Sequence, residues 1–281
     1  MRALRVAYDG TKYRGFQRQP HGDTIEDSIF EGLRALGVEF RDGSPAGYSA
    51  AGRTDAGVSA RAQTVAIDAP EWLSPRAFNS ELPASIRAWA SADTSERFHA
   101  THDATERRYR YFLYAPERTV DDRRAREAGR RLSGENDFHN FTSDTDGTER
   151  AVSVSLDRAG EFLAIDCRAG GFARQLVRRL VSVVEAVARG GRNPEFVSHA
   201  LATEPLSGPE GIAPAAPEPL VLLDVRYPDT EFERDGRALA DAREIFEARR
   251  RHRLATAKTA GALTPDPAEW PQRGADPSSD R

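Results

Sequence analysis

Residues 4–37 read LRVAYDGTKYRGFQRQPHGDTIEDSIFEGLRALG, and this stretch decides the fold. Residues 4–8 alternate as a half-buried strand does, and Asp9 and Gly10 end the run as a turn. Thr24 then stands where a helix N-cap belongs, with Asp27 three residues on in the capping-box position. Ile25, Ile29, Leu33 and Leu36 follow at helical spacing, and Gly37 closes the helix. Working outward, residues 46–51 read as a short second strand, 63–69 as a third, 75–82 as a helix capped by Ser74, and 86–92 as a fourth strand. The order is β-α-β-β-α-β, that of the ferredoxin-like fold.

The second half repeats the plan. Residues 108–114 read as a strand and 123–132 as a charged helix. Residues 152–156 and 162–168 form a hairpin about Ala159 and Gly160. Residues 172–188 give the strongest helix, with Leu176, Val177, Leu180, Val183, Val184 and Val187 on its apolar face. Residues 194–201 follow as a helix and 220–227 as a last strand. The expected fold class is α/β (α+β): two ferredoxin- or RRM-like halves forming one extended, mostly antiparallel sheet with helices on one face. The open face between the halves is the natural binding cleft. The expected division is 1–104, 105–230 and 231–281. The last part holds a polar helix over 237–254, with the basic run 249–253 read first as a solvated face, and disorder from residue 261 onward.

Composition narrows the function classes. The chain has 281 residues, 39% of them hydrophobic, enough for a sizeable core. No window approaches the roughly eighteen apolar residues that a membrane span needs. The start runs into a strand pattern with no apolar leader, so a cytoplasmic protein is expected. The single cysteine excludes an internal disulfide and a Cys-based zinc site. The six histidines show no ligand spacing, and no metal site is read. Lys plus Arg is 40, Asp plus Glu is 44, and only two of the bases are lysine, a balance that points to a GC-rich genome or to life in high salt. An acidic average argues against indiscriminate nucleic-acid binding and leaves room for a local cluster of arginines.

One segment carries chemistry. Residues 51–60, AGRTDAGVSA, put two glycines, an arginine and a carboxylate at a strand exit, where glycine lets a ligand approach the backbone. Asp55 in such a place is a nucleophile, base or metal ligand, or else half of a salt-bridged turn with Arg53. On residue 109 the strand alternation speaks: Tyr109 and Tyr111 share one face, Arg108 and Arg110 the other.

The segment 51–60 closely resembles the signature of the TruA family of tRNA pseudouridine synthases. Four further segments resemble that family in the same order: 8–19 (YDGTKYRGFQRQ), 107–114 (RRYRYFLY), 172–181 (FARQLVRRLV) and 220–229 (LVLLDVRYPD). The resemblance spans roughly residues 1–230. It implies isomerisation of uridine to pseudouridine in the anticodon stem-loop of tRNA, at nucleotides 38 to 40 in the usual tRNA count, by a homodimer with no cofactor. It assigns Asp55 as the nucleophile, Arg178 as its cationic partner, and Tyr109 as the tyrosine that stacks on uracil. Arg53 fills the gap left by the flipped nucleotide, and Leu220 forms an apolar wall. Arg14 and Lys12 are expected to touch RNA, as are Arg18, the arginines of 123–131 and the helix 172–179. Two positions depart from the pattern: Ser59 stands where the family usually has His, and Ser182 where glycine is common. A non-catalytic RNA-binding protein with two RRM-like halves is the alternative that bare topology allows. A carboxylate-dependent phosphohydrolase is weaker, because no second acid clusters with Asp55.

Overall fold

The fold starts where residues 4–37 place it. The computed structural model describes residues 1–264. Strand β1 (Arg2–Tyr8) leads to helix α1 (Ile25–Ala35). The capping box is formed in both directions: Thr24 Oγ1 accepts the Asp27 N–H, and Asp27 Oδ2 accepts the Thr24 N–H, each at 3.1 Å. Gly37 ends the helix with φ +72°. Short strands β2 (Phe40–Arg41), β3 (Ser44–Pro45) and β4 (Ser49–Ala50) follow, then β5 (Ser59–Ile67), α2 (Pro75–Asn79) and β6 (Ile86–Asp93). The second half comprises β7 (Glu106–Tyr114), α3 (Asp122–Leu132), β8 (Gly134–Asp137), β9 (Glu149–Ala159), β10 (Phe162–Ala169), α4 (Leu176–Ala188), α5 (Glu195–Ala200) and β11 (Leu220–Arg226). Strand β12 (Glu233–Arg234) precedes α6 (Gly236–Ala262).

Ten strands form one sheet in the order β12-β6-β1-β5-β11-β7-β10-β9-β8, with β4 also on β5. Within it β6-β1-β5-β4 and β11-β7-β10-β9 each show the antiparallel 4-1-3-2 order of a split β-α-β repeat. The halves join head to tail through the parallel pair β5–β11, where Ser59 and Ala60 face Val221 and Leu222.

The edge of β5 is therefore shared. Its C-terminal end pairs with β4 through Ala66 and Val65, and its N-terminal end pairs with β11. Strand β4 stops early, and residues 51–58 peel away from the sheet at that point. The strand expected over 46–51 shrinks to Ser49–Ala50, because Gly47 turns the chain with φ +66°. Strand β5 begins at Ser59, not at residue 63. Its Ser-Ala-Arg-Ala start has low strand propensity and is imposed by pairing on both sides.

Buried side chains from both halves merge into one core. Helix α3 lies so close to β9 that a Cβ on Gly129 would stand 2.4 Å from Leu156 Cδ1. Helix α4 packs on β7 and sets the two faces of that strand: Arg107, Tyr109, Tyr111 and Leu113 are buried beneath helices, whereas Phe112 and Tyr114 are exposed on the other side. On that helix-free side Asp166 is clamped by Arg108 and Arg110 through four hydrogen bonds, at 2.6–3.2 Å.

The helix expected over 172–188 begins at Leu176. Gln175 sits in the left-handed region at φ 57°, and the Arg174 N–H is taken by Asp144 Oδ2 at 2.8 Å, so residues 172–175 form a loop. Helix α2 ends at Asn79, not at residue 82, since the Asn79 side chain turns to bond both backbone groups of Ala88. The polar helix expected over 237–254 is α6, which runs on through Ala262. The disorder expected from residue 261 is thus overturned for residues 261 and 262, and residues 265–281 lie outside those described. No helix among the described residues is long and apolar enough to cross a membrane.

Candidate active site

The loop 51–58 is held by its own backbone groups. The Ala51 N–H completes the ladder with the Thr64 carbonyl at 2.9 Å, and the Gln63 amide then captures the Gly52 carbonyl at 2.8 Å. Phe16 N–H donates to the Thr54 carbonyl at 3.0 Å, and Val58 N–H to the Asp55 carbonyl at 3.1 Å. The Thr54 hydroxyl is bound to the buried Tyr8 hydroxyl at 2.8 Å. Two glycines allow the tight contacts. A Cβ on Gly10 would lie 1.9 Å from the Val58 carbonyl oxygen, and Gly57, at φ +83°, has Pro217 against it. Ser59 accepts the Gly10 N–H at 3.1 Å, so this departure from the family pattern ties the loop's exit to the turn after β1.

This scaffold presents Asp55 to a cleft of about 1720 Å³. Asp55 Oδ2 accepts a hydrogen bond from Arg178 Nη1 at 2.9 Å, with side-chain exposures of 31% and 12%. The carboxylate is the more exposed of the two, so the acid faces the cleft while its partner is held back. Arg178 is fixed because its Nε donates to the Ala215 carbonyl at 2.6 Å, and the Ala215 N–H returns a bond to the Arg178 carbonyl at 3.1 Å. Ser182, the second departure, donates its hydroxyl to that same Arg178 carbonyl at 3.2 Å. Asp55 Oδ1 has no hydrogen-bond partner among the described residues.

Tyr109 lines the same cleft, edge-on to Phe172 with ring centroids 5.3 Å apart. Burial pushes its phenol up to about 12; Arg107 draws it down and Asp55 adds to the rise, so it is a neutral hydroxyl at ordinary pH. Leu220 is buried at the wall, and Arg53 and Arg14 stand at the rim. Arg53 is exposed and makes no hydrogen bond or ion pair with a described residue, whereas Arg14 lies 3.8 Å from Asp23. Six of the seven expected site residues thus meet in one cavity. Lys12 does not: it is exposed, on the turn after β1, and lines no part of the cleft. The cleft also opens on the helix-bearing side, between α1 and α4, and not on the open face expected from topology. The helix-free side is occupied instead by the Asp166 cluster.

Arg107 is the residue that sequence reasoning passed over. Its guanidinium is buried and donates to the carbonyls of Ala51 (2.8 Å), Thr101 (2.6 Å), Ala104 (3.1 Å) and Gly170. Those carbonyls come from the Asp55 loop, the link between the halves, and the loop that carries Phe172 toward Arg178. One cation therefore sets the two walls of the cleft against each other. Its signal in the sequence is parity: Arg107 shares the buried face with Tyr109 and Tyr111, an unusual place for a charge.

Residues 128–228 match the family PseudoU_synth_1, described as tRNA pseudouridine synthase. A protein named tRNA pseudouridine synthase A from Natronomonas pharaonis is 66% identical over 94% of this chain and 99% of its own length. Proteins of the same name from Haloarcula marismortui (56% identical, 94% of this chain, 99% of its own) and Methanococcoides burtonii (38%, 86% and 88%) are also similar. A solved Cbf5-Nop10-Gar1 complex is a remote likeness, at 12% identity and a TM-score of 0.35 over 66% of this chain and 45% of the other. The three proteins named tRNA pseudouridine synthase A define the class, the pseudouridine synthases. Within it, the chain belongs to the TruA family of tRNA pseudouridine synthases.

Proposed function

We propose that this chain isomerises uridine to pseudouridine in the anticodon stem-loop of tRNA, at nucleotides 38 to 40, with Asp55 as nucleophile and as a homodimer in the cytoplasm. The observation that carries the reading is the Asp55–Arg178 pair at 2.9 Å in a cleft shared with Tyr109 and Leu220. The reaction breaks the C1′–N1 bond, turns the uracil and forms a C1′–C5 bond. N1 gains a proton and C5 loses one, so the change is redox-neutral and calls for no redox cofactor. One carboxylate oxygen is engaged by Arg178, and the other is left for the nucleoside. Tyr109 stacks on the everted uracil, and its neutral hydroxyl is a donor or proton carrier there. Leu220 bounds the base on its apolar side. Arg53, unpaired at the rim, fills the gap in the RNA stack, and Arg14 contacts phosphate. Lys12 serves RNA only outside the cleft.

The test uses an unmodified tRNA transcript with neither metal nor cofactor added, followed by mapping of pseudouridine. Wild type gives product at 38 to 40. Asp55→Ala binds the transcript and gives none, a loss of at least about a thousandfold. Product from Asp55→Ala refutes the role of the carboxylate. Binding without product by wild type favours the non-catalytic RNA-binding alternative.

A further inference from the structure

The C-terminal part of α6 is a concentration of positive charge that the cleft does not use. Residues 248–264 contain Arg249, Arg250, Arg251, Arg253 and Lys258 and no acid, in a chain whose formal net charge is −4. Every described residue from Arg250 onward is exposed. Helix electrostatics do not account for the cluster. Cations favour a helix near its C-terminus, but the effect fades within the last turn, and the last turn of α6 holds no base. Arg249 and Arg253, one turn apart, are a like-charge pair at a spacing that costs a helix stability. Glu247, just before the acid-free stretch, bonds Arg250 at 3.0 Å.

A bilayer surface is a poor match. Among the described residues Leu254 and Leu263 are the only large apolar side chains beyond Phe246, too few for a helix face that enters lipid. The cations also point around the helix. At 100° per residue Arg249 and Arg253 fall on one side, Arg250 on a second, and Arg251 with Lys258 on a third. That arrangement suits a polyanion that presents phosphates along a curved backbone.

We infer that residues 249–258 of α6 are a second RNA-binding surface, holding the phosphate backbone of the tRNA by charge and without reading sequence. The inference rests on tRNA being the substrate. Its measurable consequence is salt dependence. Each neutralised phosphate contributes about 0.7–0.9 to the slope of log affinity against log salt. In the full-length chain, Arg249→Gln, Arg250→Gln, Arg251→Gln, Arg253→Gln and Lys258→Gln are combined. Binding of an unmodified tRNA transcript is measured from 0.1 to 1 M potassium chloride (about tenfold in salt). Gln is nearly as good a helix former as Arg, and circular dichroism checks that α6 persists. The slope should fall by about 3, with at least tenfold weaker binding at the low-salt end. A companion set with the four arginines changed to lysine should keep the wild-type slope.

An unchanged slope in the glutamine set, with helicity intact, overturns the inference. So does loss of slope in the lysine set, which would make the surface one of specific guanidinium geometry. Binding of the wild type to phosphatidylserine vesicles, lost in the glutamine set while the tRNA slope stays put, also overturns it in favour of a membrane. Failure of the functional reading looks different: wild type then yields no pseudouridine from the same transcript, whatever the slope.

Discussion

The two halves place a hairpin at the same topological position and finish it differently. In the second half, β9 and β10 pair from Ser153–Arg168 to Ala159–Phe162 and close with a two-residue turn, Gly160 and Glu161. In the first half, β4 pairs with β5 for two residues, and the chain then leaves the sheet as the loop 51–58. The difference shows where the Asp55 loop comes from: it is a hairpin strand cut short, and the edge it vacates on β5 is taken by β11. The acids of the two hairpins differ in the same sense. Asp166 on β10 has both oxygens saturated by two guanidiniums and a side-chain exposure of 4%; Asp55 shares one oxygen with one guanidinium and is 31% exposed. Saturation suits support, and a free oxygen suits reaction.

Exchanging properties between the two sites tests this contrast. The largest effect expected, after loss of Asp55 itself, is at its partner. Lysine at 178 keeps the charge but cannot hold the Ala215 carbonyl and Asp55 together, so Arg178→Lys should lower kcat about a hundredfold, as single-turnover kinetics would show. On the hairpin side, Asp166→Asn should leave product formation intact and cost about 2 kcal/mol of stability in a urea titration. Burial would raise the Asp166 carboxyl, but the bonds from Arg110 and Arg108 outweigh it and hold it below the usual value. Its stabilisation is therefore complete above the ordinary carboxylate range and is lost as pH falls through the folded-state value. Wild type should lose its advantage over Asp166→Asn on acidification, and a gap that stays constant from pH 6 to about 2 would contradict the ion pair.

Next comes the joint between the halves. Arg107→Lys supplies too few donors for four carbonyls from three segments, and it should lower kcat about tenfold with little change in KM. An equal loss in both would instead mark a general loosening of the cleft. Smallest is Gly160→Ala. The turn needs φ +62° there with open space around it, so the cost is backbone strain alone, about 1 kcal/mol by thermal melting and none in turnover.

Much of this was legible because it is periodic. The Thr24–Asp27 box, the parity of Tyr109 and Tyr111, and the Gly160 turn are local, and each expectation meets its structure. The family motifs brought Asp55, Arg178, Tyr109, Leu220, Arg53 and Arg14 into one list before any geometry did. What escaped depends on distant partners. Residues 172–175 look helical because Phe172 and Leu176 stand four apart, yet Phe172 is spent against Tyr109 and Asp144 takes the Arg174 amide. Arg107 reads as one arginine among many until the four carbonyls beneath it are seen. Lys12 lies four residues after Tyr8, a core neighbour of Thr54, but on a turn that leads it away from the cleft.

The seam between β5 and β11 has a consequence for what either half can do alone. A solitary β-α-β-β-α-β module would own either the acid or the tyrosine and arginine, never all three. Bringing them together takes two modules side by side, so the cleft belongs to the pairing of the halves and to neither half alone.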